Sequence, residues 1–256
     1  MGRVPRVRRW HRASGAPHLQ PRGAQLEPAL PAPLPRLRSG LRDIRARRVG
    51  GPMLQHPAEV RAAFEEGAAT LLRTLRAITP ELWDRRAALG EWSTRELAAH
   101  TLRAFVTIEG YLAAPPATDR VLADAAEYYA TALSDPTAHQ GVAARARQAG
   151  RQLIDPVGEA EATIERVLAQ IAATADDEPV NTFAGQITLA EYLATRVVEV
   201  GVHTLDLQRA TGQRAELHPD TAAVVLSVLI QLTSPVPVIL ALTGRVPLPD
   251  SFNALG

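Results

Sequence analysis

Glu199 and His203 stand four residues apart in "TRVVEVGVHTLDLQRATG" (195–212), with Arg196 three residues before the pair and Asp206 three after it. These spacings put all four side chains on one face of a helix. Val198, Val202 and Leu205 lie close to the same side. A carboxylate and an imidazole beside an apolar face cost free energy unless something partners them. A divalent cation is one such partner, and a third ligand for it has to come from another helix. His100, in "RELAAHTLRAF", is suited to that part because Leu97 and Phe105 mark the core side of its helix. His100, Glu199 and His203 make a His₂Glu set. Three protein ligands leave positions open for water or substrate, as catalytic metal sites do and structural ones do not. Imidazole and carboxylate suit zinc and tolerate other first-row ions. Asp206 could then accept a hydrogen bond from the far nitrogen of His203, with Arg196 flanking the pair on the other side. From spacing alone a plainer reading stays open. Glu/His pairs at i, i+4 are common on helices, and Arg196 and Asp206 can be surface charges or an ion pair. His11, His18, His56, His139 and His218 fall in the N-terminal leader, in loops or at element ends, and no role is expected of them.

The elements that must position these residues read as helices. "HPAEVRAAFEEGAATLLRTLRAI" carries Pro57 at a first-turn position, acids early, arginines late and apolar residues at helical spacing. Ser93 with Glu96, and Thr188 with Glu191, read as capping boxes that open the two helices bearing the ligand candidates. Gly212 reads as the stop of the second. A less regular helix is expected around Arg120 to Leu133, and one long or broken helix over 140–175. "HPDTAAVVLSVLIQLT" reads as a further helix ended by "SPVPV", and the tail "ILALTGRVPLPDSFNALG" as a short strand or turn. Nothing alternates strand with helix, so no sheet of any size is expected. The fold class is all-α, an up-and-down four-helix core over 57–78, 93–113, 140–175 and 188–211. The expected domain plan is a leader over 1–52, a metal-binding bundle over 53–212, and a C-terminal helix and tail over 213–256 packed on it.

Composition removes several function classes. The 256 residues include no cysteine, which excludes disulfides, thiolate ligands and a cysteine nucleophile. Any thiol chemistry would need an external thiol. No apolar run approaches the roughly 20 residues of a membrane span. The net charge of +1 hides an asymmetry, because residues 1–52 hold twelve arginines against Glu27 and Asp43 while the remainder is acidic. The Pro- and Arg-rich leader shows no hydrophobic period, so disorder is expected of it. Its charge would suit a nucleic-acid tail. A secretory signal does not fit, because no apolar segment follows the arginines. The reading preferred here is that translation starts at Met53, with no nucleic-acid partner.

"LGEWSTRELAAHTL" (89–102) resembles one signature of the mycothiol-dependent maleylpyruvate isomerase family, a branch of the DinB-like four-helix metalloproteins. "QITLAEYLATRVVEVGVHTLDLQRATG" (186–212) is similar to that family's second signature, in which an Arg precedes a Glu four residues before a His, with Asp-Leu beyond. Both occur in the family's order, and the resemblance covers roughly residues 55–212. The tail segment "LALTGRVPLPD" also looks like a Gly-Arg segment near the end of many members. The resemblance implies a DinB-like bundle with an additional C-terminal helix and short tail, metal ligands at His100, Glu199 and His203, a divalent metal that is usually zinc, and mycothiol as thiol cosubstrate. It further implies an arginine holding a substrate carboxylate, for which Arg245 and then Arg103 are the candidates. The implied protein is a cytoplasmic monomer or homodimer acting on a small electrophile by isomerisation or S-transfer. The alternative from another class is a non-catalytic metal-binding domain serving as a sensor or partner-binding module.

Overall fold

A computed structural model describes residues 56–86, 88–134 and 138–255. The expectations for the leader and for Met53 lie outside the described residues. The helices are α1 (Pro57–Arg76), α2 (Thr94–Ala113), α3 (Ala125–Ala132), α4 (Ala138–Gln152), α5 (Pro156–Ala172), α6 (Leu189–Thr211), α7 (Pro219–Gln231) and α8 (Pro235–Leu242). Strands β1 (Pro179–Thr182) and β2 (Gly185–Thr188) form a hairpin between α5 and α6. The fold is all-α, a helical bundle as expected.

The four-helix core consists of α1, α2, α5 and α6, and α7 packs on α1 and α6. Phe64, Leu71 and Leu75 of α1 meet Leu97, Phe105 and Ile108 of α2, Val167 of α5 and Leu193 and Leu207 of α6, all essentially inaccessible to solvent. Phe64 and Phe105 stack at 5.0 Å between ring centroids. Side chains of this size each contribute about 1.5–3 kcal/mol by leaving water. Helix α6 touches α1, α2, α3 and α7. A helix covered on most sides must be apolar on most sides, and that accounts for its valine- and leucine-rich sequence. It also means that the charged groups of α6 cannot all be a solvated stripe. Gly212 closes α6 in the left-handed conformation, φ 73°, its N–H directed at the carbonyls of Gln208 and Arg209.

The third helix of the core is broken. Asp155 caps α5, accepting a hydrogen bond from the Gly158 amide at 3.1 Å, and Pro156 takes the first helical position. A proline there disfavours helical geometry in the residue before it, so α4 ends at Gln152 and α5 starts afresh at Pro156. Helix α4 lies against α2 at close range: a Cβ added at Gly150 would sit 2.8 Å from Glu96 Cγ and 3.0 Å from its Cα. Gly150→Ala is therefore expected to destabilise the fold by about 1–3 kcal/mol through overpacking. Helix propensity alone predicts the opposite sign, by about 1 kcal/mol. A thermal melt decides between them, and an unchanged or raised Tm would refute the close approach.

Two expectations require correction. A sheet does exist, though it is only a hairpin. Val180 and Ile187 pair across it and are buried, and the Thr182 hydroxyl ties the turn by donating to the Gly185 carbonyl at 2.7 Å. Four-residue strands are too short for alternation to stand out from the surrounding sequence. "SPVPV" ends α7 as expected, but it also opens α8, with Ser234 at the cap and Pro235 in the first turn, where a missing N–H costs nothing.

Candidate metal centre

The segment before α2 turns at Gly90, which has φ 56°. Backbone hydrogen bonds from Ala88 N–H to the Trp92 carbonyl (2.9 Å) and from Trp92 N–H to the Leu89 carbonyl (3.0 Å) close that turn. Ser93 then caps α2. Its hydroxyl accepts from the Glu96 amide, and Glu96 returns a carboxylate to the Ser93 amide at 2.8 Å. This is the full reciprocal box expected. The helix so started presents His100 toward α6, with the Trp92 ring against the imidazole at 4.8 Å.

The second box is only half made. Thr188 accepts from the Glu191 amide, but the Glu191 carboxylate does not turn back to Thr188. It accepts instead from the Ala125 amide at 3.1 Å, in the first turn of α3. The loop before α3 is held by the hairpin as well, through Leu122 N–H to the Gln186 carbonyl and Gln186 N–H to the Arg120 carbonyl, both 2.8 Å. These contacts fix α3 beside α6 and bring Tyr128 and Tyr129 onto it.

His100, Glu199 and His203 converge. One ligand atom from each lies within 4.8 Å of the others, and the two imidazole rings meet edge to face at 4.9 Å. His203 Nε2 stands 3.6 Å from Glu199 Oε2, while its Nδ1 faces Asp206 Oδ2 at 3.3 Å. One nitrogen is thus taken by a carboxylate and the other turned to the site, which is how a carboxylate orients a metal-binding imidazole. Tyr129 donates to Glu199 Oε1 at 3.0 Å and lies 3.1 Å from the Thr195 carbonyl. His100 Nδ1 is sealed from solvent without a hydrogen-bond partner.

The electrostatics suit a cation. Burial, helped by the charge of His203, pushes His100 down to about 4, so it is neutral and has a lone pair at pH 7. Burial works against the Glu199 carboxylate, but the contact with His203 and the positive charges of Arg196, His203 and His100 outweigh it and hold the group at about 2. Burial also opposes the charged form of His203. The Asp206 and Glu199 carboxylates overcome this and carry it up to about 9. Hence one neutral imidazole, a second whose proton a cation can displace, and one carboxylate converge. The residues present fit a divalent metal.

Arg196 is 8% exposed. It lies between two tyrosines, 4.7 Å from the Tyr192 ring centroid and 5.6 Å from that of Tyr128. Arg103 is half-buried one turn beyond His100, near enough for its charge to help lower that imidazole. Arg245 is exposed in the turn after α8 and donates to the Thr243 carbonyl at 3.1 Å. A separate cleft of about 270 Å³, lined by Arg73, Gln208, Arg214 and His218 among others, contains none of the converging residues. Sequence reasoning did not include Tyr128, Tyr129 or Trp92 in the site. Trp92 lay inside the quoted first motif. For the tyrosines no local signal existed beyond Asp124 as a helix cap, because their direction depends on Glu191 reaching across to α3.

A family model described as "mycothiol maleylpyruvate isomerase N-terminal domain" matches residues 64–208. The match covers more than half of the chain and includes all three converging residues. The chain belongs to this family. No curated protein and no solved structure matches it. Membership agrees with the two signatures around His100 and Glu199–His203, and the matched segment runs from within α1 almost to the end of α6. Among the described residues, no helix of this family member is long and apolar enough to cross a membrane.

Proposed function

We propose that the protein is a metal- and mycothiol-dependent enzyme acting on a small electrophile. His100, Glu199 and His203 hold a divalent ion, zinc by the chemistry of the donor set. The observation that carries this reading is the convergence, within 4.8 Å, of three ligand atoms from two segments about a hundred residues apart. A bound cation would supply Lewis acidity, which brings the pKa of a coordinated thiol toward neutrality. With no cysteine in the chain, that thiol comes from outside, and the family points to mycothiol.

The chain's own groups supply the rest. His203 and Arg196 keep Glu199 ionised, Tyr129 directs it, Asp206 fixes the tautomer of His203, and Trp92 walls the His100 side. Addition of the thiol sulfur to one carbon of a cis double bond conjugated to a carbonyl leaves a single bond that can rotate. Expulsion of the thiol then returns the trans isomer with the thiol unchanged. Where the electrophile carries a leaving group instead, the same attack gives S-transfer. The cytoplasm, which keeps small thiols reduced, is the compartment this chemistry requires.

The test is turnover of cis-unsaturated acids and simple electrophiles with and without mycothiol, using metal-loaded protein. Turnover is expected only when the thiol is present. Equal rates in both conditions would remove the thiol from the reaction.

A further inference from the structure

The exposed apolar side chains of this protein are unevenly spread. Among the described residues, fourteen large hydrophobic side chains are exposed, and eight of them fall within 226–252. The other six are spread singly over 89–183, which is ordinary for a protein surface. Helix α7 turns Thr221, Val224, Val225 and Val228 to the core, at the spacing of one helical face. Leu226 and Ile230, four residues apart, lie on its other side, and Leu226 is 67% exposed. Helix α8 touches α7 and presents Val236, Ile239 and Leu242 at three-residue intervals, with Leu242 80% exposed. Not one residue of α8 is buried. The tail is tied to the end of α8, the Arg245 and Val246 amides donating to the Leu240 carbonyl at 2.8 and 3.3 Å. It adds three more exposed side chains between Val246 and Phe252.

A helix as short as α8 is marginal in water unless its apolar face packs on something. Helix α8 has the apolar face and little within its own chain to set it against. The eight side chains together expose about 700–800 Å², close to the roughly 800 Å² that each partner contributes to a standard stable interface. The charge pattern decides what covers them. No Asp, Glu, Lys or Arg occurs over 221–244, and over 245–255 the charges are Arg245 and Asp250, one of each sign. Such a face meets a copy of itself without opposing like charges, because its cation and its anion are complementary in a two-fold pairing. A helix that lies on lipid carries lysines and arginines along its polar side, and α8 carries none.

We propose that α7, α8 and the tail form the two-fold interface of a homodimer, with Leu226, Ile230, Val236, Ile239 and Leu242 at its centre and Arg245 and Asp250 at its rim. None of the three converging residues of the metal centre belongs to these elements, so the pairing holds whether or not that centre is catalytic.

Sedimentation equilibrium on the full-length chain at micromolar concentration is the test. Wild-type protein should show twice the 27.5 kDa mass of one chain. Leu226→Glu and Leu242→Glu, made separately, each bury an unpaired carboxylate from both copies and should weaken association by about 100-fold or more. Ile154→Glu, at a side chain 80% exposed outside this face, should leave the dimer intact. All three positions are exposed in the single chain, so none is needed for its core, and far-ultraviolet circular dichroism checks the fold of each variant. Should one leucine variant not fold, the other still gives the answer. A monomeric wild type would overturn the proposal, and flotation of that monomer with phosphatidylcholine–phosphatidylglycerol vesicles would give the face to a membrane. A dimer that survives both leucine substitutions would put the interface elsewhere. Equal loss with Ile154→Glu would mean non-specific association, and a mass that climbs with concentration beyond the dimer would refute a closed pair. Each of these results overturns the assignment.

Discussion

Replacing His100 and His203 together by alanine is expected to strip the protein of stoichiometric metal and to leave it folded. The two changes remove two of the three ligands, and Glu199 alone cannot hold a divalent ion against water. Loss of the ion should reduce thiol-dependent turnover to background. Folding should survive for reasons specific to this bundle. The core runs through Phe64, Leu97, Phe105, Leu193 and Leu207, none of which is changed, and both histidines retain some exposure. Glu199 is not stranded either, since Tyr129 still donates to it and Arg196 remains one turn away. Elemental analysis of the purified variant beside wild type, with far-ultraviolet circular dichroism as the control for folding, reads both halves. Retention of one ion per chain in the double variant would sink the centre as assigned.

Much of this architecture was readable from local rules, and the exceptions share a cause. The helix carrying His100 announced itself because Ser93 and Glu96 satisfy each other within four residues. The helix carrying Glu199 and His203 had the same four-residue pattern at Thr188 and Glu191, yet there the carboxylate leaves its own helix to hold the first turn of α3. Nothing in the spacing distinguishes these two uses of one motif, because the deciding partner lies 66 residues away. Tyr128 and Tyr129 follow from that diversion, so the aromatic wall of the site was hidden with it. The ligand set was legible for the opposite reason. Glu199 and His203 are paired by helix geometry itself, and only His100 needed a tertiary contact, which the packing of α2 on α6 supplies. Arg196 stood in view as a flanking charge, but its burial depends on α3 covering it. The helix over 140–175 was left as long or broken, and Pro156 is the residue that decides for the break at Leu153–Asp155. The hairpin was not, because each strand has only four residues and the turn residues Phe183 and Ala184 carry no turn signal of their own.

Metal affinity is expected to rise about tenfold per pH unit across neutrality, roughly 100-fold from pH 6 to pH 8. The sign follows from the three ligands taken separately. Glu199, held at about 2, is ionised throughout this range and contributes no pH dependence. His100, pushed down to about 4, is already neutral and contributes none above pH 5. His203, raised to about 9 chiefly against the opposing effect of burial by its contacts with Asp206 and Glu199, carries a proton in the metal-free protein until the pH passes that value. A ligand nitrogen must give up its proton to bind, so one proton leaves for each ion that enters between about pH 5 and pH 9. Raising the pH favours the species that binds, and affinity climbs until His203 titrates, then levels. An unperturbed imidazole would level near 6.5 instead. Zinc titrations against a competing chelator at pH 6, 7 and 8 measure the slope, and calorimetry in two buffers of different ionisation enthalpy counts the proton directly. Affinity that is flat between pH 7 and pH 8, with no proton released, would show that Asp206 and Glu199 do not hold His203 in its charged form. Asp206→Asn should move the plateau to lower pH while weakening binding about 10- to 100-fold, since it removes the carboxylate that orients the ring.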